Sequence, residues 1–179
     1  MASGHSLKST PQLASARSAA AIRVSDLSMA YQLGTLVLDQ VSLEIEAGEI
    51  VALVGASGCG KSTLLRAVAG LLQPQQGEVH FDPALARLSG DLSYVFQAPT
   101  LLPWRTVDEN IGLPLELYRN QGEQPRELVH TPSRSEAVAF ARRSVDLEDD
   151  AAKMFPRELS GGMQMRTSMA RALVTDPSV

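Results

Sequence analysis

The run Gly55-Ala56-Ser57-Gly58-Cys59-Gly60-Lys61-Ser62 constrains this chain more than any other stretch. It satisfies G-x-x-x-x-G-K-[ST] at every fixed position. Glycine lets a backbone wrap tightly enough to aim several N–H groups at one anion. A helix that follows such a loop adds its positive N-terminal dipole. Lys61 then supplies a full charge for β- and γ-phosphates, Ser62 a hydroxyl for Mg²⁺, and Thr63 a further phosphate contact. Ala56, Ser57 and Cys59 are small spacers that complete the cradle.

The flanks of this run have the right character. Ile50–Val54 is apolar without alternation, as a strand covered on both faces would be. Leu64, Leu65, Val68, Leu71 and Leu72 form a helical stripe that Gln73-Pro74 closes. Upstream, Ile22–Leu27 reads as a strand. Val41, Leu43 and Ile45 alternate with Ser42, Glu44 and Glu46, the pattern of a strand with one wet face. Glu78–Phe81 and Leu92–Phe96 read as further short strands. From Pro103 the pattern turns helical. Ser133-Arg134-Ser135-Glu136 reads as a capping box before a helix with Val138, Ala141 and Val145 on one face. A last helix begins after Ser160, and its Met165, Met169 and Leu173 read as packing residues.

Composition narrows the class. Acids outnumber bases by 20 to 16, which argues against a nucleic-acid binder. A single cysteine excludes an internal disulfide. No apolar run approaches the ~18 residues of a bilayer-spanning helix. Residues 1–20 are serine- and alanine-rich and lack acids. This fits a transit sequence in part, but arginine is sparse, and a disordered tail is the simpler expectation. His5, His80 and His130 show no ligand spacing and carry no metal reading.

A second small-residue turn, Leu159-Ser160-Gly161-Gly162-Met163, precedes the last helix and is followed by Arg166 and Ala170-Arg171-Ala172-Leu173. With the first loop, it makes the chain resemble the ATP-binding cassette (ABC) family of ATPases, whose signature is a close variant of L-S-G-G-Q. The resemblance implies an α/β fold: a P-loop NTPase core with an N-terminal antiparallel β subdomain and a helical subdomain. It divides residues 21–179 into a core and β subdomain (21–102), a helical subdomain (103–165) and a return to the core (166–179). It implies that Ser160, Gly161, Gly162 and Met163 face the γ-phosphate of ATP held by a second subunit, in a head-to-tail homodimer. Met163 stands where glutamine is commoner, which leaves the backbone contacts intact.

The same resemblance gives Gln97 the role of touching Mg²⁺ and the attacking water. It gives Tyr31 that of stacking on adenine, a contact worth about 1–3 kcal/mol by analogy with base–aromatic stacking. Phe96-Gln97 followed by Leu101-Leu102-Pro103-Trp104 looks like the nitrate, sulfonate and taurine group of ABC importers. There the segment helps receive a cytoplasmic helix of the membrane-embedded permease. Trp104 beside Arg105 suits an interface; the competing reading buries Trp104 within the helical subdomain. The implied setting is peripheral, on the cytoplasmic face of the bacterial inner membrane, with an extracytoplasmic solute-binding protein as indirect partner and no nucleic acid.

The family's next motif is an apolar strand ending in Asp-Glu, and the sequence to Val179 contains none. The expectation is therefore a cassette incomplete at the C-terminus. A general base contributes about 10²–10⁴-fold, so these residues alone are expected to turn over ATP poorly and to be unstable in isolation. A nucleotide-binding module that binds ATP without turnover is the alternative function. A soluble ABC ATPase of translation or DNA repair would require paired cassettes or a coiled-coil insertion, and neither is visible.

Overall fold

The structure, a computed structural model, describes residues 20–30, 36–82, 92–121 and 133–179. They fall into two compact units, Met1–Ala86 and Arg87–Val179.

The first unit is built on an antiparallel sheet of β1 (Ala20–Ala30), β2 (Leu36–Glu46) and β3 (Gln76–Phe81), in the order β2-β1-β3. β1 is the central strand, so it carries the most deeply buried residues, Val24 and Leu27. Three positions separate those two, where strict alternation allows an even number. A bulge at Asp26, whose φ is +49°, absorbs the extra residue. Ser42 Oγ accepts the Asp26 N–H at 2.9 Å and holds the bulge closed. β2 shows the alternation expected of Val41, Leu43 and Ile45.

Helix α1 (Lys61–Val68) buries Leu64 and Ala67 against Val24, Leu27, Met29 and Leu38. It is shorter than the sequence stripe predicts. Gly70 adopts φ +69°, its N–H donates to Ala67 O, and the Leu71 N–H donates to Arg66 O at 2.8 Å. That pair is a Schellman stop, and it ends the helix before Leu71 and Leu72. Leu71 is exposed, whereas Leu72 still packs on the core.

Two expected strands are absent. Ile50–Val54 and Leu92–Phe96 carry no strand pairing. Ile50 is 98% exposed and Val54 83%; only Leu53 of that segment packs against the core. An apolar run becomes a doubly covered strand only with a ladder partner on its flank. Among the described residues no strand pairs with either segment; Leu92–Phe96 makes a single backbone bond, from the Ser93 N–H to Val179 O at 2.8 Å.

The second unit is helical: α2 (Val107–Ile111), α3 (Leu113–Gln121), α4 (Arg134–Arg143), 3₁₀ turns at Asp149–Lys153 and Pro156–Glu158, and α5 (Gly161–Leu173). Its core joins Val107, Ile111, Val138, Ala141, Leu147, Ala170 and Val174. Thr106 and Glu109 form a full capping box at α2. At α4, Ser133 Oγ accepts the Glu136 N–H at 3.3 Å and donates to the Glu136 carboxylate.

α5 corrects a second expectation. Met169 and Leu173 are exposed, and the buried stripe is Thr167, Ala170 and Val174, with Met163 packed beside it. Small residues win this face because α5 lies close to its neighbours, and the Thr167 hydroxyl is satisfied by Met163 O at 2.8 Å. Arg142, 4% exposed, sits in the same unit and ties α4 to Asp108 at 2.9 Å, Asp149 at 2.8 Å and Glu148 O at 2.8 Å. Burial raises the Asp108 pKa even so, outweighing the pull of Arg142.

Candidate functional site

The loop Gly55–Ser62 belongs to the first unit, and Gln97 with Ser160–Met163 to the second. The loop leads directly into α1, with Gly60 as its N-cap at φ +101°. A side chain at Gly60 would meet the Val37 carbonyl at 2.9 Å as well as a strained backbone, so this position admits only glycine. A Cβ at Gly55 would meet Cys59 Sγ at 2.9 Å. The loop closes on itself through the Cys59 N–H and Ala56 O at 3.4 Å.

Lys61 Nζ lies inside this curve. It donates to Gly55 O at 2.9 Å, to Ala56 O at 2.7 Å and to Cys59 Sγ at 3.6 Å. Its charge is thereby held against the loop's own carbonyls. Gly55, Ala56, Ser57, Gly58 and Ser62 are exposed, and the first turn of α1 holds no acidic residue that would repel phosphate. Thr63, by contrast, is buried on the core side. Tyr31 lies outside the described residues.

In the second unit Ser160 is the N-cap of α5, its Oγ accepting the Met163 N–H at 3.3 Å. Gly161 and Gly162 form the exposed first turn. A methyl group on Gly161 would meet no atom within 4 Å, and one on Gly162 only Ser160 Oγ at 4.0 Å. The fold itself therefore does not need these glycines, although each weakens a helix relative to alanine by ~0.5–1 kcal/mol. What they leave is bare backbone at a helix N-terminus.

Gln97 is exposed on an irregular segment. Downstream, Asn110 is fully buried and knots the next stretch: its Nδ2 donates to Leu102 O, Arg105 O and Thr106 O, and its Oδ1 accepts the Leu102 N–H at 2.8 Å. Trp104 stands on that knotted loop and is 71% exposed, which overturns the reading that buries it. Beside it, Glu116 bridges Arg105 at 2.7 Å and Arg134. Sequence reasoning assigns no role to Asn110, Arg142 or Arg171. For Arg171 the available signal is a charged residue set between alanines in Ala170-Arg171-Ala172.

Comparison with known proteins identifies the family. The family model described as ABC transporter matches residues 38–179. The nitrate import ATP-binding protein NrtC of Synechococcus elongatus is 39% identical over 147 residues, spanning 80% of this chain and 21% of that protein. The aliphatic sulfonates import ATP-binding protein SsuB of Bacillus thuringiensis subsp. konkukian is 39% identical over 150 residues, covering 83% of this chain and 55% of that one. The chain thus spans about half the length of the sulfonate relative, and less of the nitrate one. Among solved structures, a dimeric ATP-binding cassette in a post-hydrolysis state, bound to ADP and Pi, superposes with a TM-score of 0.73 at 31% identity, over 87% of this chain and 70% of that one.

Proposed function

This chain belongs to the ABC transporter family, and from that premise we propose that it is part of an ATP-hydrolysing subunit that energises import of a small solute such as nitrate or a sulfonate. The observation that carries the proposal is the pairing of a lysine-centred glycine cradle with a bare-backbone helix start at Ser160–Gly162. The cradle binds the triphosphate through backbone N–H groups and Lys61. The exposed turn of α5 presents N–H groups and a dipole to a second triphosphate, bound by another copy. Head-to-tail pairing of two copies completes each site. The dimeric cassette bound to ADP and Pi supports this arrangement.

Ser62 and Gln97 are exposed oxygen donors, the ligand type that suits Mg²⁺, and they are its holders in this reading. Bound there, the ion would neutralise developing charge on the phosphates. Gln97 orients the attacking water, and Tyr31 stacks on the adenine. Closure of the paired copies is favoured because ATP binds the closed form more tightly. The Gln97–Trp104 segment passes that closure to the permease, which places the subunit at the cytoplasmic face of the inner membrane. An extracytoplasmic binding protein delivers the solute.

Calorimetric titration of the intact protein with ATP and Mg²⁺ tests the proposal, with phosphate release measured alongside. Tight binding that Lys61→Ala weakens at least about tenfold, equivalent to ~1.4 kcal/mol, supports it. No binding by the unaltered protein refutes it. Binding without phosphate release selects the alternative, a nucleotide-binding module without turnover.

A further inference from the structure

The segment that carries Gln97 is fastened to the last turn of α5 on both sides. Before Gln97, Ser93 Oγ donates to Ala172 O at 2.8 Å. After it, Arg171 spreads its guanidinium over the next turn of chain. Nη1 donates to Thr100 O at 2.9 Å, while Nη2 donates to Pro99 O at 3.0 Å and to Thr100 Oγ1 at 2.9 Å. A longer contact, 3.4 Å, reaches Ser168 Oγ on the same helix.

Two features set Arg171 apart from an ordinary surface arginine. Its acceptors are carbonyls and hydroxyls, not carboxylates, and burial pulls its pKa below the usual arginine value. Among the described residues no carboxylate pairs with it, and a charge so desolvated has been placed for its donor geometry. The residue it grips, Thr100, has φ +48°, a region that β-branched residues seldom enter. Only a planar fork with several donors can span both carbonyls and the hydroxyl at once.

We propose that Arg171 is a positioning residue for Gln97. It holds the left-handed turn at Thr100 against the last turn of α5, so that the segment carrying Gln97 and the Ser160–Gly162 turn, which opens that helix, move as one piece. The inference rests on the ATPase reading for its kinetic consequence, but the mechanical part stands on the hydrogen bonds alone.

The test compares Arg171→Lys, Arg171→Met and Thr100→Val in the intact protein. Lysine keeps the charge and loses the fork, and Thr100→Val removes one acceptor should the arginine variants fold poorly. Hydrogen exchange is read for the backbone amides of 98 and 100–102 and for those of α5. Faster exchange of the loop amides by at least about tenfold, with α5 unchanged, supports the proposal. Unchanged loop exchange, uniform acceleration across the unit, or an Arg171→Lys variant indistinguishable from the unaltered protein overturns it. In turnover, the expectation is a kcat at least about tenfold lower with ATP affinity within about twofold. In a Gln97→Ala background the same substitutions should cause no further loss. An equal loss in both backgrounds also overturns the proposal. If the unaltered protein releases no phosphate, the ATPase reading fails, and the exchange result still decides the role of Arg171.

Discussion

Gly162→Ala separates what the fold needs from what the chemistry needs. Gly162 lies within the first turn of α5, and its φ is not in the left-handed region. An added methyl meets only Ser160 Oγ at 4.0 Å, an ordinary contact. The substitution therefore introduces no clash and removes backbone freedom from the unfolded chain. Glycine-to-alanine changes at compatible sites stabilise by ~0.4–1 kcal/mol. In a domain of 150–250 residues that corresponds to a Tm rise of roughly 1–4 °C. The same methyl would stand on the bare surface where the triphosphate of a second copy is proposed to pack, so turnover should fall at least about tenfold while ATP affinity at the Lys61 loop holds. Thermal melts and phosphate release on one preparation of the intact protein measure both. A variant that is stabilised and hydrolyses ATP at the unaltered rate would refute the reasoning about the α5 turn. A variant with a lowered Tm would refute the geometry.

Other perturbations probe the supporting structure. Arg142→Met should cost about 1–3 kcal/mol in urea unfolding, since it strands the partly buried Asp108; a loss below ~0.5 kcal/mol would show the ion pairs to be incidental. The Glu116 pKa is lowered by its hydrogen bonds, first to Arg105 and then to Arg134. A depressed carboxylate stabilises above its unfolded pKa, and that contribution is lost as pH falls through the folded value. Stability should therefore decline as the pH falls below 4.5, the ordinary glutamate value, and Glu116→Gln should flatten that acid limb; an unchanged limb would dismiss the pair. Ile50→Lys with Val54→Lys should reduce self-association of the isolated 179-residue chain, read by light scattering. Undiminished scattering would mean that another surface drives it.

What the sequence discloses depends on whether the determinant is local. The Gly55–Ser62 loop, the β2 alternation and the Ser133 cap were legible because each is decided by residues adjacent in the chain. The Ile50–Val54 strand was not, because a strand is a property of a pair and its hydrophobicity reports only the wish for one. The α5 stripe was misjudged for a related reason. Hydrophobicity favours Met165, Met169 and Leu173, whereas close approach favours Thr167 and Ala170, and closeness is invisible before the neighbours are known. Arg171 acts through the carbonyls of Pro99 and Thr100, and Arg142 in part through Asp108, partners far along the chain that no spacing announces. Gly161 and Gly162 are the opposite case. The motif marks them, and among the described residues nothing in their own unit calls for a glycine at either position.

The Asn110 knot has a mechanical consequence for Trp104. Four hydrogen bonds from a side chain with no exposure leave the backbone of 102–106 little slack. The indole projects from that stiffened ground. A load applied to it is delivered to the root of α2 as a push on a post, with little absorbed on the way as the bending of a spring.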